Sequence, residues 1–418
     1  MTNKFSEDEV HQFIYQRGLE ELIDDVPDAN EEEAASEIFG EEGGFEFWRI
    51  IKAKAEDKLR KIHGNLPYGQ FVGSKIKLST GKKRPMELDL LGFYDDGIFV
   101  LELKINRSAE RNAFSELFAY SNYIAEMFAL SGHKDITNVL VARLDAQITK
   151  QAFLYDLLIA DRNIIVYKPE FSGVGLETLR LKLYLPSDED FQHFTNQLLS
   201  HDAMACVVAS FEDIPGWIDS KETGGGLDQT TMDHLEAVSG YAAQLMEAER
   251  LHGFCFIRKP WQEMPTYYRN SLIICAVNPF EIIAAEQLSE LTEQLDDSND
   301  INALLESPKM AFHGRLLRLA RKALDDTLKE EFDSELENPL WNVMVTSMAE
   351  VVFTRNFGFR PTGLMREAYV AYLNDIYKRE AQGDDSVEDV SILKVEEISN
   401  WLRAWIFMEG CGFANSDD

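Results

Sequence analysis

The hydrophobic positions of this chain change period repeatedly, and the changes mark out elements. FEFWRIIKAKAEDKLRKI, from Phe45 to Ile62, repeats apolar residues at helical spacing. Phe47, Ile50, Ile51, Leu59 and the stem of Lys54 form its predicted buried side, and Pro67 with Gly69 ends the helix. GQFVGSKIKLS, MELDLLGFY and GIFVLELKI follow, short apolar or alternating runs between polar, Gly-containing turns, which predicts three strands. Helical spacing returns in SAERNAFSELFAYSNYIAEMFALSG, with Ser108 placed as N-cap and Gly132 as stop. Phe114, Leu117, Ser121, Ile124 and Phe128 share one predicted face, leaving Glu116, Tyr120 and Tyr123 on another. ITNVLVARL reads as a strand, about 149–160 as a short helix, and NIIVYKPEF as another strand. The order αβββαβαβ predicts a mixed sheet flanked by helices.

Beyond residue 195, ACVVASF, a helix over 229–250, GFCFIRK and SLIICAVNP predict a small α/β domain, with the glycines at 224–226 as a turn. From Pro279 the pattern reads as almost entirely helical. The expected organisation is therefore an acidic helical segment over 1–44, an α/β domain over 45–195, a small α/β domain over 196–280 and a helical domain over 281–418.

A length of 418 residues exceeds one ordinary core, and 45% hydrophobic with 27% charged residues describes a soluble globular class. No apolar run approaches the roughly 20 residues a membrane span needs, and MTNKFSEDEV lacks the form of a secretory signal. Cys206, Cys255, Cys275 and Cys411 are scattered without a CxxC pair, which implies reduced thiols, a cytoplasmic address and no zinc site. The net charge of −32 argues against a protein that grips nucleic acid over its whole surface. The charge is uneven, however. Residues 1–46 hold 15 Asp/Glu against 2 Lys/Arg, whereas 47–110 hold 13 Lys/Arg against 8 Asp/Glu. Lys75, Lys77, Lys82, Lys83 and Arg84 lie directly before the second predicted strand, a solvated hairpin or a phosphate-facing one.

The chemistry-bearing stretch is MELDLLGFYDDGIFVLELKI, residues 86–105. Alternation along a strand puts Glu102 and Lys104 on one face, and a hairpin through YDDG brings Asp89 towards Glu102. Two carboxylates at such range repel unless a cation lies between them, and hard oxygen donors favour Mg²⁺ or Mn²⁺. The backbone carbonyl of Leu103 is a further candidate ligand, and Lys104 is placed to hold an attacking water. Glu87 shares a strand face with Asp89 and is an alternative ligand.

Asp89 followed after twelve residues by Glu102-Leu103-Lys104 resembles the D-(x)n-ExK core of the PD-(D/E)XK nuclease superfamily. The order of helix, strand meander, ExK strand and long helix is similar to that restriction-endonuclease-like fold. Glu116-Leu117-Phe118-Ala119-Tyr120 resembles the Q-x-x-x-Y signature of some branches, with glutamate in place of glutamine. The resemblance covers about residues 45–190. It implies a metal-dependent nuclease acting on nucleic acid, DNA foremost, with Asp89 and Glu102 binding Mg²⁺ or Mn²⁺, Lys104 positioning water and Tyr120 supporting the phosphate or the site wall. A helix-borne acid is also implied, with Glu46 favoured over Glu56. The family setting would be DNA repair or defence against phages and plasmids, with later domains sensing a signal, meeting a protein partner or forming a homo-oligomer.

Two other readings compete: a non-catalytic scaffold of nuclease fold, and an acidic DNA mimic built on the 1–46 carboxylates. His63, His133, His201, His252 and His313 are isolated and read as ordinary surface or core residues. Asp219-Ser220-Lys221 before GGG lacks the spacing of a phosphate-binding loop. Arg315, Arg318, Arg321 and Lys322 recur at helical spacing beside His313, an acid-paired solvent face or a nucleic-acid track. WLRAWIFMEGCGF near the C-terminus reads as packing of the helical domain.

Overall fold

A computed structural model of the chain describes residues 5–24, 46–78, 86–105, 112–128, 131–132, 134–198, 203–211, 219–220, 226–227, 229–260, 270–281, 298–328, 333–335, 354–381 and 407. The chain divides into two units, one of residues 1–36 with 51–191, the other of 37–50 with 192–418.

The first unit is built on a six-stranded mixed sheet in the spatial order β1 (Gln70–Leu78), β2 (Met86–Tyr94), β3 (Gly97–Lys104), β4 (Ile136–Ala142), β5 (Ile164–Phe171) and β6 (Leu179–Leu183). β3–β4 and β4–β5 are parallel and the other pairs antiparallel. All seven residues of β4 are buried, as its continuous ITNVLVA run requires of a central parallel strand, while edge strand β1 alternates in burial. Its helices are α1 (Glu7–Arg17), α2 (Phe47–Asn65, from Ile51 onward), α3 (Ala113–Glu126) and α4 (Gln147–Leu154), which runs into a π-helical turn at Tyr155–Ile159. Ser6 and Glu9 start α1 reciprocally: Glu9 N–H donates to Ser6 Oγ at 3.3 Å and Ser6 N–H to Glu9 Oε2 at 2.7 Å. The acidic preface is thus no separate segment over its described part; Ile23 forms a β-bridge with Leu181 of the sheet.

Two details of α3 differ from the sequence pattern. The helix ends at Glu126 with Met127 as cap, so Gly132 is not its stop; the Gly132 N–H instead donates to Asp135 Oδ2 at 2.6 Å. Phe128, beyond the helix, is exposed, and Tyr120 is buried with Phe114, Leu117, Ser121 and Ile124. α3 packs on both β3 and β4, which widens its buried arc past the expected stripe. Ser108 lies outside the described residues.

α5 (Asp188–Leu198) contains the division between the units. The second unit holds β7 (Met204–Phe211), a short pair β8 (Asp219–Ser220) and β9 (Gly226–Leu227), then α6 (Gln229–Ala248), β10 (Gly253–Pro260), β11 (Asn270–Val277), α7 (Ser298–Leu328), β12 (Asp333–Glu335), β13 (Thr354–Thr362) and α8 (Gly363–Ala381). Its main sheet is antiparallel, in the order β12-β7-β11-β10-β13. Leu235, Val238 and Ala242 of α6 join Leu316, Leu319 and Ala323 of α7 in a core with alternate residues of β7, β10 and β11. A cluster of aromatic rings, including Phe254, Phe359 and Tyr369, packs elsewhere in the unit.

The expected boundary at 280/281 therefore cuts through a sheet, since β12 and β13 belong to it. β13 is hard to read because Gly358 and Pro361 interrupt TRNFGFRPT. The register shifts between Cys255 and Ile257 of β10, opposite Arg360 and Phe357, and Gly358 takes φ +55 there. A Cβ on Gly358 would come within 2.2 Å of Ser239 Oγ, so the bulge needs glycine. Among the described residues no helix is long and apolar enough to cross a membrane.

Candidate active site

The β2–β3 ladder runs from Tyr94↔Gly97 to Leu90↔Leu101 and stops. One residue beyond, Asp89 and Glu102 stand where the next pair would form. β3 continues alongside β4 as far as Lys104↔Ala142, so it stays straight while β2 leaves it. The Asp89 carboxylate takes up the freed backbone: Leu103 N–H donates to Asp89 Oδ2 at 2.9 Å. Glu87, the alternative ligand, is exposed. Of these two acids, Asp89 is the one hydrogen-bonded beside Glu102.

Lys104 Nζ donates to Glu102 Oε1 at 2.5 Å and pairs with Glu116 Oε2 of α3 at 2.9 Å. Glu102 is only 2% exposed, and its second oxygen, Oε2, is buried with no hydrogen-bond partner among the described residues. A buried carboxylate oxygen in that condition costs free energy unless a proton or cation meets it. Tyr120, one turn along α3 from Glu116, is buried and feels the charges of Glu102, Glu116, Lys104 and Asp89.

α1 supplies two further residues. Ile105 N–H donates to Glu7 Oε2 at 3.3 Å, which sets that carboxylate at the end of β3, within the fields of Lys104 and Asp89. His11 Nε2 lies 3.0 Å from the Asp89 carbonyl oxygen. A carbonyl only accepts, so the bond requires a proton on Nε2. Asp8 forms an ion pair with Lys75 of β1, whose backbone takes the left-handed value φ 49. Three contacts thus fasten α1 across β1, β2 and β3.

The electrostatics follow from burial. Burial, then the charge of Asp89, pushes Glu102 up from 4.5 to about 8, against the pull of Lys104. Burial also raises Asp89, opposed by the Leu103 N–H and Lys104, and raises Glu7, opposed by Lys104 and the Ile105 N–H. For Lys104 burial acts downward, but the bonds and charges of Glu102 and Glu116 overcome it and hold the ammonium protonated. Burial, then Glu102 and Glu116, raises the Tyr120 hydroxyl. Four carboxylates thus surround one ammonium, an environment that attracts cations.

Of the residues the sequence singles out, Asp89, Glu102, Leu103, Lys104 and Tyr120 come together here, with Glu116. Glu46 does not join them: it groups with the second unit, and its carboxylate pairs with Arg49. Glu56 pairs with Lys52 and Arg60 along α2. The helix-borne carboxylate that does lie beside Lys104 and Asp89 is Glu7. The sequence signal for it is weak, because Glu7, Asp8 and Glu9 in a first helical turn read as ordinary complements to the helix dipole. His11 has no sequence signal either.

The donors suit a hard divalent ion in kind. Among the described residues, though, no three His, Cys, Asp or Glu side chains form a group able to hold a metal by themselves. Mg²⁺ is commonly held by one or two carboxylates with water and substrate oxygens in the remaining positions, and the orphaned Glu102 Oε2 beside Asp89 meets that lesser requirement. No family model, no curated protein and no solved structure matches this chain.

Proposed function

We propose that the first unit is a metal-dependent nuclease of PD-(D/E)XK type that hydrolyses phosphodiester bonds, with DNA as the foremost substrate. The observation that carries this reading is the buried Glu102 Oε2, which has no hydrogen-bond partner among the described residues, next to Asp89 at the point where β2 and β3 separate. Asp89, Glu102 and the Leu103 carbonyl would hold Mg²⁺ or Mn²⁺, which supplies Lewis acidity and a more acidic bound water. Lys104 would orient the nucleophilic water and donate from Nζ towards a phosphate oxygen. Glu116 keeps that ammonium charged and in place, and the Tyr120 hydroxyl forms part of the wall on which a phosphate would rest. Glu7 would orient the substrate-side water or an additional cation. The second unit would sense a signal or meet a partner, a second copy of the chain included. By analogy with the family, the setting is DNA repair or defence against phages and plasmids, in the cytoplasm, to which the buried free thiols of Cys206, Cys255 and Cys275 are suited.

The test is to incubate the purified chain with single-stranded, duplex and branched DNA and with RNA, in Mg²⁺, Mn²⁺ or EDTA. Cleavage that needs the metal and disappears in Lys104→Ala supports the reading; cleavage surviving in both Lys104→Ala and Glu102→Ala refutes it. A second reading, a non-catalytic scaffold, draws on the Lys104 ammonium, which satisfies Glu102 Oε1 and Glu116 without any metal. It predicts no cleavage of any substrate and no effect of Mg²⁺ on stability.

A further inference from the structure

The second unit has a groove of about 290 Å³ between α6 and α7, lined by Leu245, Glu249, Arg315, Arg318, Leu319 and Lys322. Arg315, Arg318 and Lys322 follow at i, i+3 and i+7, which places them along one face of α7. In a chain of net charge −32 this lining carries three cations against one acid. That acid is already engaged: Arg315 Nε donates to Glu249 Oε2 at 2.5 Å and Arg315 Nη2 to the Glu249 carbonyl at 2.9 Å. The two bonds fix the guanidinium, and among the described residues no further partner is bonded to its other N–H groups. Lys322 pairs with Asp326 at 2.9 Å, and Asp326 also accepts from the Tyr241 hydroxyl at 2.7 Å. No acid among the described residues pairs with Arg318. An arginine with no acid partner among the described residues thus stands next to one that is held in a fixed orientation.

We propose that this groove binds the phosphomonoester group of a small molecule. The planar forks of Arg315 and Arg318 suit phosphate oxygens, and Arg318 is the one cation of the lining that no described acid neutralises. Leu245 and Leu319 offer an apolar surface to whatever the phosphate is attached to. The volume lies at the lower limit for small-molecule pockets, so the ligand is compact. An extended polyanion fits less well, because Asp325 and Asp326 are exposed at the end of the same helix.

The inference does not depend on the nuclease reading. Phenyl phosphate, with its single dianionic group and apolar ring, is a suitable probe, titrated into the full chain at constant ionic strength and followed by ³¹P NMR. Saturable binding is expected, weakened at least tenfold in Arg318→Gln and again in Arg318→Gln/Lys322→Gln. Both residues are exposed, so circular dichroism should show the variants folded. Binding that does not saturate, or that is equal in wild type and Arg318→Gln, overturns the proposal. So does an oligonucleotide that displaces the probe at lower phosphate concentration than the probe itself requires, since the groove would then be a nucleic-acid track.

Discussion

Replacing Glu102 by Gln should make the protein more stable at alkaline pH. In the fold Glu102 binds its proton up to about pH 8, whereas the unfolded chain releases it near 4.5. Between those values the folded state holds more protons than the unfolded one, so stability falls as pH rises. The contribution is fully present below about 4.5 and is lost as pH passes through about 8. At about 1.4 kcal/mol per pH unit, the gap sets a ceiling near 5 kcal/mol; between pH 5 and pH 8.5 the loss is about 4 kcal/mol, or 2–4 allowing for relaxation. The amide introduced by Glu102→Gln keeps the shape of the neutral acid and escapes this loss. Urea denaturation of both proteins at pH 5 and 8.5, in EDTA, gives the comparison. The advantage of Glu102→Gln should grow by about 2–4 kcal/mol between the two. Mg²⁺ at pH 8.5 should stabilise wild type and not the variant, because a cation binding only the folded carboxylate form adds stability by mass action. An unchanged difference between the two proteins at the two pH values would refute the argument that burial controls Glu102.

Glu7→Gln should leave the fold intact and raise the Mg²⁺ concentration needed for cleavage by about tenfold, the usual effect of residues supporting a metal site; a metal titration of activity checks it. Gly92→Ala should cost about 1–3 kcal/mol, since its Cβ would meet Phe99 Cζ at 2.1 Å and the Gln70 carbonyl at 2.7 Å. The measurement is the urea midpoint at unchanged slope. Gly64→Ala, in α2 with open space around the added methyl, should instead stabilise by about 0.5–1 kcal/mol in the same assay.

Asp89, Glu102 and Lys104 were legible in sequence because charged residues interrupted apolar strands, and strand alternation then fixed their face. Five strands of the mixed sheet, β1 to β5, were legible from the succession of periods; β6 (Leu179–Leu183) was not, because LRLKL is too short to show a period of its own. Glu7 was not: about eighty residues separate it from Asp89, and only the folded path of α1 across three strands joins them. Tyr120 fell on the wrong face because helical spacing assumes one packing surface, whereas α3 meets two strands. β13 escaped because a bulge at Gly358 destroys the alternation that identifies strands. Its strand character comes from its partner β10.

The two sheets differ in the order in which their strands become available. Strands β1 to β6 are neighbours in both sequence and space, so the first sheet can assemble progressively as the chain leaves the ribosome. In the second, β10 must wait through α7 and β12 before β13 arrives roughly a hundred residues later. Pairing of that separation is slow, and until it occurs one edge of β10 is unpaired and open to other chains. The carboxylate cluster can therefore form while the second unit is still being synthesised, and nascent-chain aggregation is expected to depend on the strand that arrives last.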